Sequence, residues 1–250
     1  EERFGTGKRI RSIAEIPFSS ARKFSAVTFD KVGTFVMGAP EFVIKKNATT
    51  AGFFDEVEKQ SKEGYRVIVV GHSKDTIEDG KVIGTVSPVG LIMIEDSIRP
   101  DAVETIEYFK KSGVAVRVIS GDNPITVSRI AQRAGIIDAG KYISLDGLSD
   151  NDVIAAANDY IVFGRVSPSQ KKVLVQALKA KGHTVAMTGD GVNDILALRE
   201  ADTSIALASG SEAARNVAHL VLLDSNFSSM PKVVTEGRRV INNIQKLSGL

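Results

Sequence analysis

Beyond Asp96 the sequence alternates between short apolar runs and helix-length amphipathic stretches, and this rhythm admits few architectures. Helical patterns over residues 99–112, 125–134, 150–158, 169–181 and 194–200 are separated by strand-like runs over 114–119, 160–163, 183–187 and 204–207. Gly113 and Gly135 each follow a helix, where a residue free to take positive φ closes the last turn. Buried strands alternating with helices imply βαβ units and a parallel, doubly wound α/β sheet. Ligands of such sheets bind beyond the carboxyl ends of the strands, so those ends are where chemistry is sought. A final helix over 231–247 reads as long and polar, with loose hydrophobic spacing.

The preceding residues follow a different pattern. Two β-branched and aromatic runs, 24–29 and 33–37, flank Asp30-Lys31-Val32 and predict a hairpin. A helix over 51–63 ends at Gly64, and strands are expected over 65–70 and 91–94. This is an α+β pattern with an antiparallel sheet. Residues 1–95 and 96–250 are therefore expected to form two domains, each long enough to bury its own core. The absence of Cys excludes disulfide scaffolds, thiolate metal sites and cysteine nucleophiles. With 32 Lys and Arg against 30 Asp and Glu, the chain has no general field for nucleic acid, and no such partner is expected. No apolar run approaches the roughly 18–20 residues that cross a bilayer. A soluble, cytosolic chain is the expectation.

Three strand ends concentrate reactive groups. Thr188-Gly189-Asp190-Gly191-Val192-Asn193-Asp194 follows the strand at 183–187. Its glycines allow close approach of backbone to a ligand, and Asp190 and Asp194 suit Mg²⁺, which takes one or two carboxylates with water and phosphate oxygens. The plainer reading is a capped turn with Asp194 as N-cap. Ser120-Gly121-Asp122-Asn123 offers a hydroxyl and backbone N–H groups that can hold a phosphate; an Asx turn before Pro124 explains it equally simply. In the third, Arg165 to Lys171, Ser167 and Pro168 read as N-cap and first helical residue. Lys171 then lies in the first turn, where the helix dipole disfavours a cation, so it either serves a phosphate or is a solvated lysine. Together the ends supply hydroxyl, lysine and carboxylate in the arrangement that phosphoryl transfer requires.

Met187-Thr-Gly-Asp-Gly-Val-Asn-Asp194, with Ser120-Gly-Asp-Asn123 and Arg165-Val-Ser-Pro168, resembles the phosphorylation domain of P-type cation-transporting ATPases, which has the haloacid-dehalogenase-like fold. Glu95-Asp96-Ser97-Ile98-Arg99 resembles their hinge segment with both prolines replaced. Residues 1–95 are similar to the nucleotide-binding domain inserted in those pumps. Pro17 to Lys23 resembles the segment whose Phe, here Phe18, stacks on adenine and whose Lys, here Lys23, lies near the phosphates. Met37-Gly38-Ala39-Pro40-Glu41 resembles a Lys-Gly-Ala-Pro-Glu motif with Met37 in place of Lys, and Arg66 matches an arginine that reaches the nucleotide. The resemblance implies ATP and Mg²⁺ as cofactors. It places Asp190 on the metal with Asn193 and Asp194 in support. Lys171, Ser120 and Gly121 would hold the transferred phosphoryl group, while Asp122 and Arg165 join nucleotide to that site. The helix at 231–247 resembles the stalk leading to a membrane helix.

The family's nucleophile is an Asp in Asp-Lys-Thr-Gly-Thr. Asp30-Lys31-Val32-Gly33-Thr34 looks close to it, but it stands where a hairpin turn belongs. The nucleophile is expected upstream, and without its strand the sheet should have a central gap and two unpaired edges. Gly5-Thr6-Gly7-Lys8 lacks the spacing and following hydroxyl of a phosphate loop, and reads as linker. The resemblance therefore implies the cytosolic ATP-binding and phosphoryl-transfer portion of an ATP-driven pump, inactive alone. Its partners would be the upstream and membrane parts of the same pump and the transported cation. The motifs resemble pumps for hard cations more than heavy-metal pumps. Two other readings are a non-catalytic nucleotide-binding module and a free-standing haloacid-dehalogenase-like phosphatase with residues 1–95 as its cap.

Overall fold

The computed structural model describes residues 10–95 and 97–248, and the chain divides into two units between Asp96 and Ser97. Gly5-Thr6-Gly7-Lys8 and Asp96 of the hinge-like segment lie outside the described residues.

The first unit is an antiparallel sheet in the order β1 (Ser12–Ile16), β2 (Phe24–Phe29), β3 (Gly33–Gly38), β4 (Tyr65–Ser73) and β7 (Ser87–Glu95), with a two-stranded ribbon of β5 (Ile77–Glu78) and β6 (Lys81–Val82). Two-residue alternation sends Ala26, Val36 and Val69 to one face. There they pack with Val43 and Ile44 at the end of α1 (Pro40–Val43) and with Phe53 and Phe54 of α2 (Ala51–Lys62). Asp30-Lys31-Val32 is the expected hairpin turn, with Lys31 at a φ of 58° and β2 and β3 in register from Phe24↔Gly38 to Phe29↔Gly33. β7 is longer than the apolar run at 91–94 because it continues through Pro88 and Gly90, residues that an edge strand tolerates.

The second unit has the alternating pattern. Its elements are α3 (Ala102–Lys111), β8 (Val118–Ile119), α4 (Pro124–Arg133), β9 (Tyr142–Ser144), α5 (Asp150–Ala156), β10 (Val162–Gly164), α6 (Pro168–Ala180), β11 (Ala186–Thr188), α7 (Ile195–Glu200), β12 (Thr203–Leu207), α8 (Glu212–Val217), β13 (Leu220–Leu222) and α9 (Met230–Ser248). All its strand pairs are parallel, but they form two sheets, β8-β10-β9 and β11-β12-β13, rather than one continuous sheet. Among the described residues β8 and β11 each pair on one side only, which is the expected break. The predicted strand at 114–119 is shorter, Val118–Ile119, and Ala186 of β11 is exposed. The buried Nε of Arg117, next to β8, has no hydrogen-bond partner among the described residues.

α6 spans the two sheets. Leu174 packs in the cluster of Leu145, Val153 and Phe163, while its neighbour Val175 packs with Met187, Ala197 and Leu198. Ile119 of β8 touches both clusters. In the second half of α9 the spacing is tighter than expected: Val240, Ile244 and Leu247 lie four and three residues apart along one exposed stripe, with Val233 two turns before them. No helix among the described residues is long and apolar enough to cross a membrane.

Candidate functional site

Because every strand of the second unit runs parallel to its neighbour, the loops after β8, β10, β11 and β12 leave from carboxyl ends. The first two are laced together. The Ser120 carbonyl accepts from the Val166 N–H at 3.0 Å, the Asp122 carbonyl from the Arg165 N–H at 2.9 Å, and the Gly121 carbonyl from Arg165 Nη1 at 3.1 Å. Arg165 takes a φ of 53°, a conformation unusual for a residue with a side chain, to make this turn. Ser120 Oγ accepts the Asp122 N–H at 3.1 Å, and Asn123 caps α4 through Ile125 N–H. The plainer Asx-turn reading of Asn123 therefore holds locally, and Ser120 stands at the rim beside it.

α6 starts as its sequence dictates. Ser167 is the N-cap, Pro168 follows, and Ser167 and Gln170 form a reciprocal capping box. Lys171, one residue on, is no solvated lysine. Its Nζ lies 2.6 Å from Asp194 Oδ1, with the two side chains only 12% and 11% exposed. Asp194 Oδ2 also accepts the Gly191 N–H at 3.1 Å. One expectation for Asp194 is thereby corrected: it makes no side-chain N-cap bond to α7, its carboxylate being engaged instead by Lys171 and the Gly191 amide. Gly189 permits this packing, since a Cβ there would lie 2.5 Å from that of Asp194. Asn193 is in the 3-10 turn Val192–Asp194 and is exposed.

Asp190 is different. Its carboxylate is exposed and is held by no hydrogen bond or ion pair among the described residues. No cluster of three or more His, Asp or Glu side chains able to hold a metal occurs among the described residues. A single open carboxylate at a strand end fits Mg²⁺, which completes its shell with water and phosphate oxygens, and does not fit an all-protein zinc or calcium cage.

The sequence reading missed the fourth loop, Ala208-Ser209-Gly210-Ser211 after β12. Ser211 N–H donates to the Asp190 carbonyl at 2.7 Å, and Gly210 lies so close that a Cβ would be 2.7 Å from that oxygen. Its signal was a run of small residues at a strand end.

In the first unit, Phe18 is 63% exposed rather than part of the core. Its turn is held by Arg22 N–H to Ser19 Oγ and by Arg22 Nη2 to the Pro17 carbonyl. Lys23, at a φ of 62°, accepts the Ala39 N–H on its carbonyl at 3.0 Å, which joins this turn to the Met37–Glu41 motif. Met37 pairs across to Val70, and Arg66 lies four residues from Val70, so both belong to the sheet face opposite the α1 and α2 core. Phe18, Lys23, Met37 and Arg66 thus belong to one small sheet and its adjoining turn.

The family model of the haloacid dehalogenase-like hydrolases matches residues 24–202. The chain is 44% identical over 238 residues to the probable cation-transporting ATPase exp7 of Streptococcus pneumoniae, covering 94% of this chain and 30% of that protein. It is 41% identical over 239 residues to the calcium-transporting ATPase CtpE of Mycolicibacterium smegmatis, with coverage of 95% and 30%. Against the cation-transporting ATPase pma1 of Synechocystis it is 34% identical over 256 residues, covering 92% and 28%. The chain therefore spans less than a third of the length of these relatives. The matched residues include the loops after β8, β10 and β11 with Ser120, Lys171, Asp190 and Asp194, and the chain belongs to the haloacid dehalogenase-like hydrolase family.

Proposed function

We propose that this chain is the nucleotide-binding and phosphoryl-transfer part of an ATP-driven cation-transporting ATPase acting at the cytoplasmic face of a membrane. The first unit binds ATP, with the adenine on the exposed ring of Phe18 and the phosphates near Lys23 and Arg66. In this reading it is an insertion in the second unit's fold, and Met37 removes one cation from the pocket. The γ-phosphoryl passes to an aspartate on a strand outside this sequence that pairs with the free edges of β8 and β11. The observation that supports the reading is the desolvated Lys171–Asp194 pair, which ties the loop after β10 to the loop after β11 that carries Asp190.

Ser120 and the Gly121 backbone orient the phosphoryl oxygens, and Lys171, held at the rim by Asp194, supplies positive charge to them. Asp122 and Arg165, whose backbones are bonded to each other, help join nucleotide to that site. Mg²⁺, held by Asp190 with Asn193 nearby, would neutralise charge on the transferring group. Hydrolysis of the aspartyl phosphate then drives movement of a hard cation, Ca²⁺ being the one named in a relative.

Calorimetric titration of ATP into the chain and into Phe18→Ala tests the first step. Micromolar-to-millimolar binding that the substitution abolishes supports the reading. No binding by folded wild-type protein moves it to a non-catalytic module.

A further inference from the structure

We infer that Arg215, on α8, is a positioning residue for Asp190. The inference rests on the reading of Asp190 as the Mg²⁺ ligand. Arg215 does not reach the Asp190 carboxylate; it acts on the backbone behind it. Its Nη1 donates to the Ala208 carbonyl at 2.7 Å and to the Gly210 carbonyl at 2.6 Å, so one guanidinium nitrogen closes both ends of a three-residue arc. The next N–H, that of Ser211, is given to the Asp190 carbonyl at 2.7 Å.

The arc is anchored from the other side as well. Ala208 N–H donates to the Leu222 carbonyl at 3.0 Å, and Ser209 N–H to Ser225 Oγ at 2.8 Å. Gly210 lies against Asp190 with no room for a side chain: an added Cβ would be 2.7 Å from the Asp190 carbonyl oxygen and 2.9 Å from its Cβ. Asp190 itself follows β11, a three-residue strand paired on one side only among the described residues. A carboxylate at the end of so short a ladder needs a second support, and the arc that Arg215 closes provides it. The charge suits the task twice, since two carbonyls converge on it and a cation near the Asp190 loop offsets the repulsion of an approaching phosphate.

The experiment compares wild type, Arg215→Met, Arg215→Lys and Asp190→Asn by two measurements on the whole chain. The first is amide exchange at Ser211 without metal, which reads the arc directly. Arg215→Met, which removes both carbonyl contacts, should speed it about tenfold, with Arg215→Lys restoring most of the protection. The second is Mn²⁺ binding followed by electron paramagnetic resonance. Asp190→Asn should abolish it, and Arg215→Met should weaken it about tenfold, the range seen for groups that orient a ligand from behind.

Unchanged Ser211 exchange in Arg215→Met overturns the inference. So does unchanged Mn²⁺ affinity where Asp190→Asn has lost it, because the metal reading then stands without Arg215. Wild-type protein that binds no Mn²⁺ sinks the metal role of Asp190, and with it the inference that Arg215 serves that role. A lowered melting temperature with intact affinity marks Arg215 as merely structural and also overturns it.

Discussion

Lys171 shows how much one side chain can disclose before its partner is known. A cation in the first turn of a helix opposes the dipole, and that alone marks it as compensated by something. The compensating group, Asp194, is 23 positions away and on another loop, so no local spacing could name it. The pair is largely desolvated, and removing one member leaves a buried charge. Lys171→Met is expected to destabilise the second unit by about 3–5 kcal/mol. Adding Asp194→Asn should recover part of that loss, because the amide oxygen can still accept from Gly191. Calorimetric unfolding of the single and double variants checks both. Asp190 was legible as a strand-end carboxylate, whereas the arc that supports it was not, since Ala208, Ser209 and Gly210 carry no group that advertises a function.

The elements were read best where local signals agree. The hairpin of β2 and β3, α2, and α6 with its Ser-Pro start follow from alternation, caps and turn chemistry. The errors fall on short or one-sided elements. β1, β9, β13 and α8 were missed because three to six residues carry little periodicity. The strand at 114–119 was overestimated because its sequence is suited to two neighbours and the described residues supply one. The same one-sidedness exposes β11 as a template for unwanted pairing. Ala186→Lys, on that exposed edge, should raise the temperature at which light scattering begins while leaving folding stability within about 0.5 kcal/mol of wild type. A large loss of stability would instead mean that Ala186 is packed.

Across the whole molecule, acidic groups with depressed pKa values are unevenly distributed. Asp101 is lowered by hydrogen bonds from the Ser228 and Asn226 side chains, Asp202 by the Val185 N–H and then Lys179, and Asp224 by the Ser229 hydroxyl and then the Asn226 N–H. Glu107 is lowered by Lys111 and, in the first unit, Glu58 by Lys62. Each of these groups binds its proton less readily when folded, so its contribution is present above the unfolded value, about 4 for Asp and Glu, and is lost as the pH falls through the folded value. Acidification below about pH 4 should therefore weaken residues 97–248 more than residues 10–95. Residue-resolved amide exchange as a function of pH measures this, and Asp202→Asn should flatten the dependence.

At this scale the sequence shows a change of rhythm near residue 95, and the chain contacts divide between Asp96 and Ser97. The second unit's strands fall into two sheets, and α6 packs against both. A hydrogen-bonded ladder holds neighbouring strands at a nearly fixed spacing of about 4.8 Å, like rungs. Between β8 and β11 the spacing is set instead by Leu174, Val175 and Ile119, whose contacts yield gradually when pushed. The loops carried by the two sheets are thus mounted on a compliant spring rather than in a rigid frame.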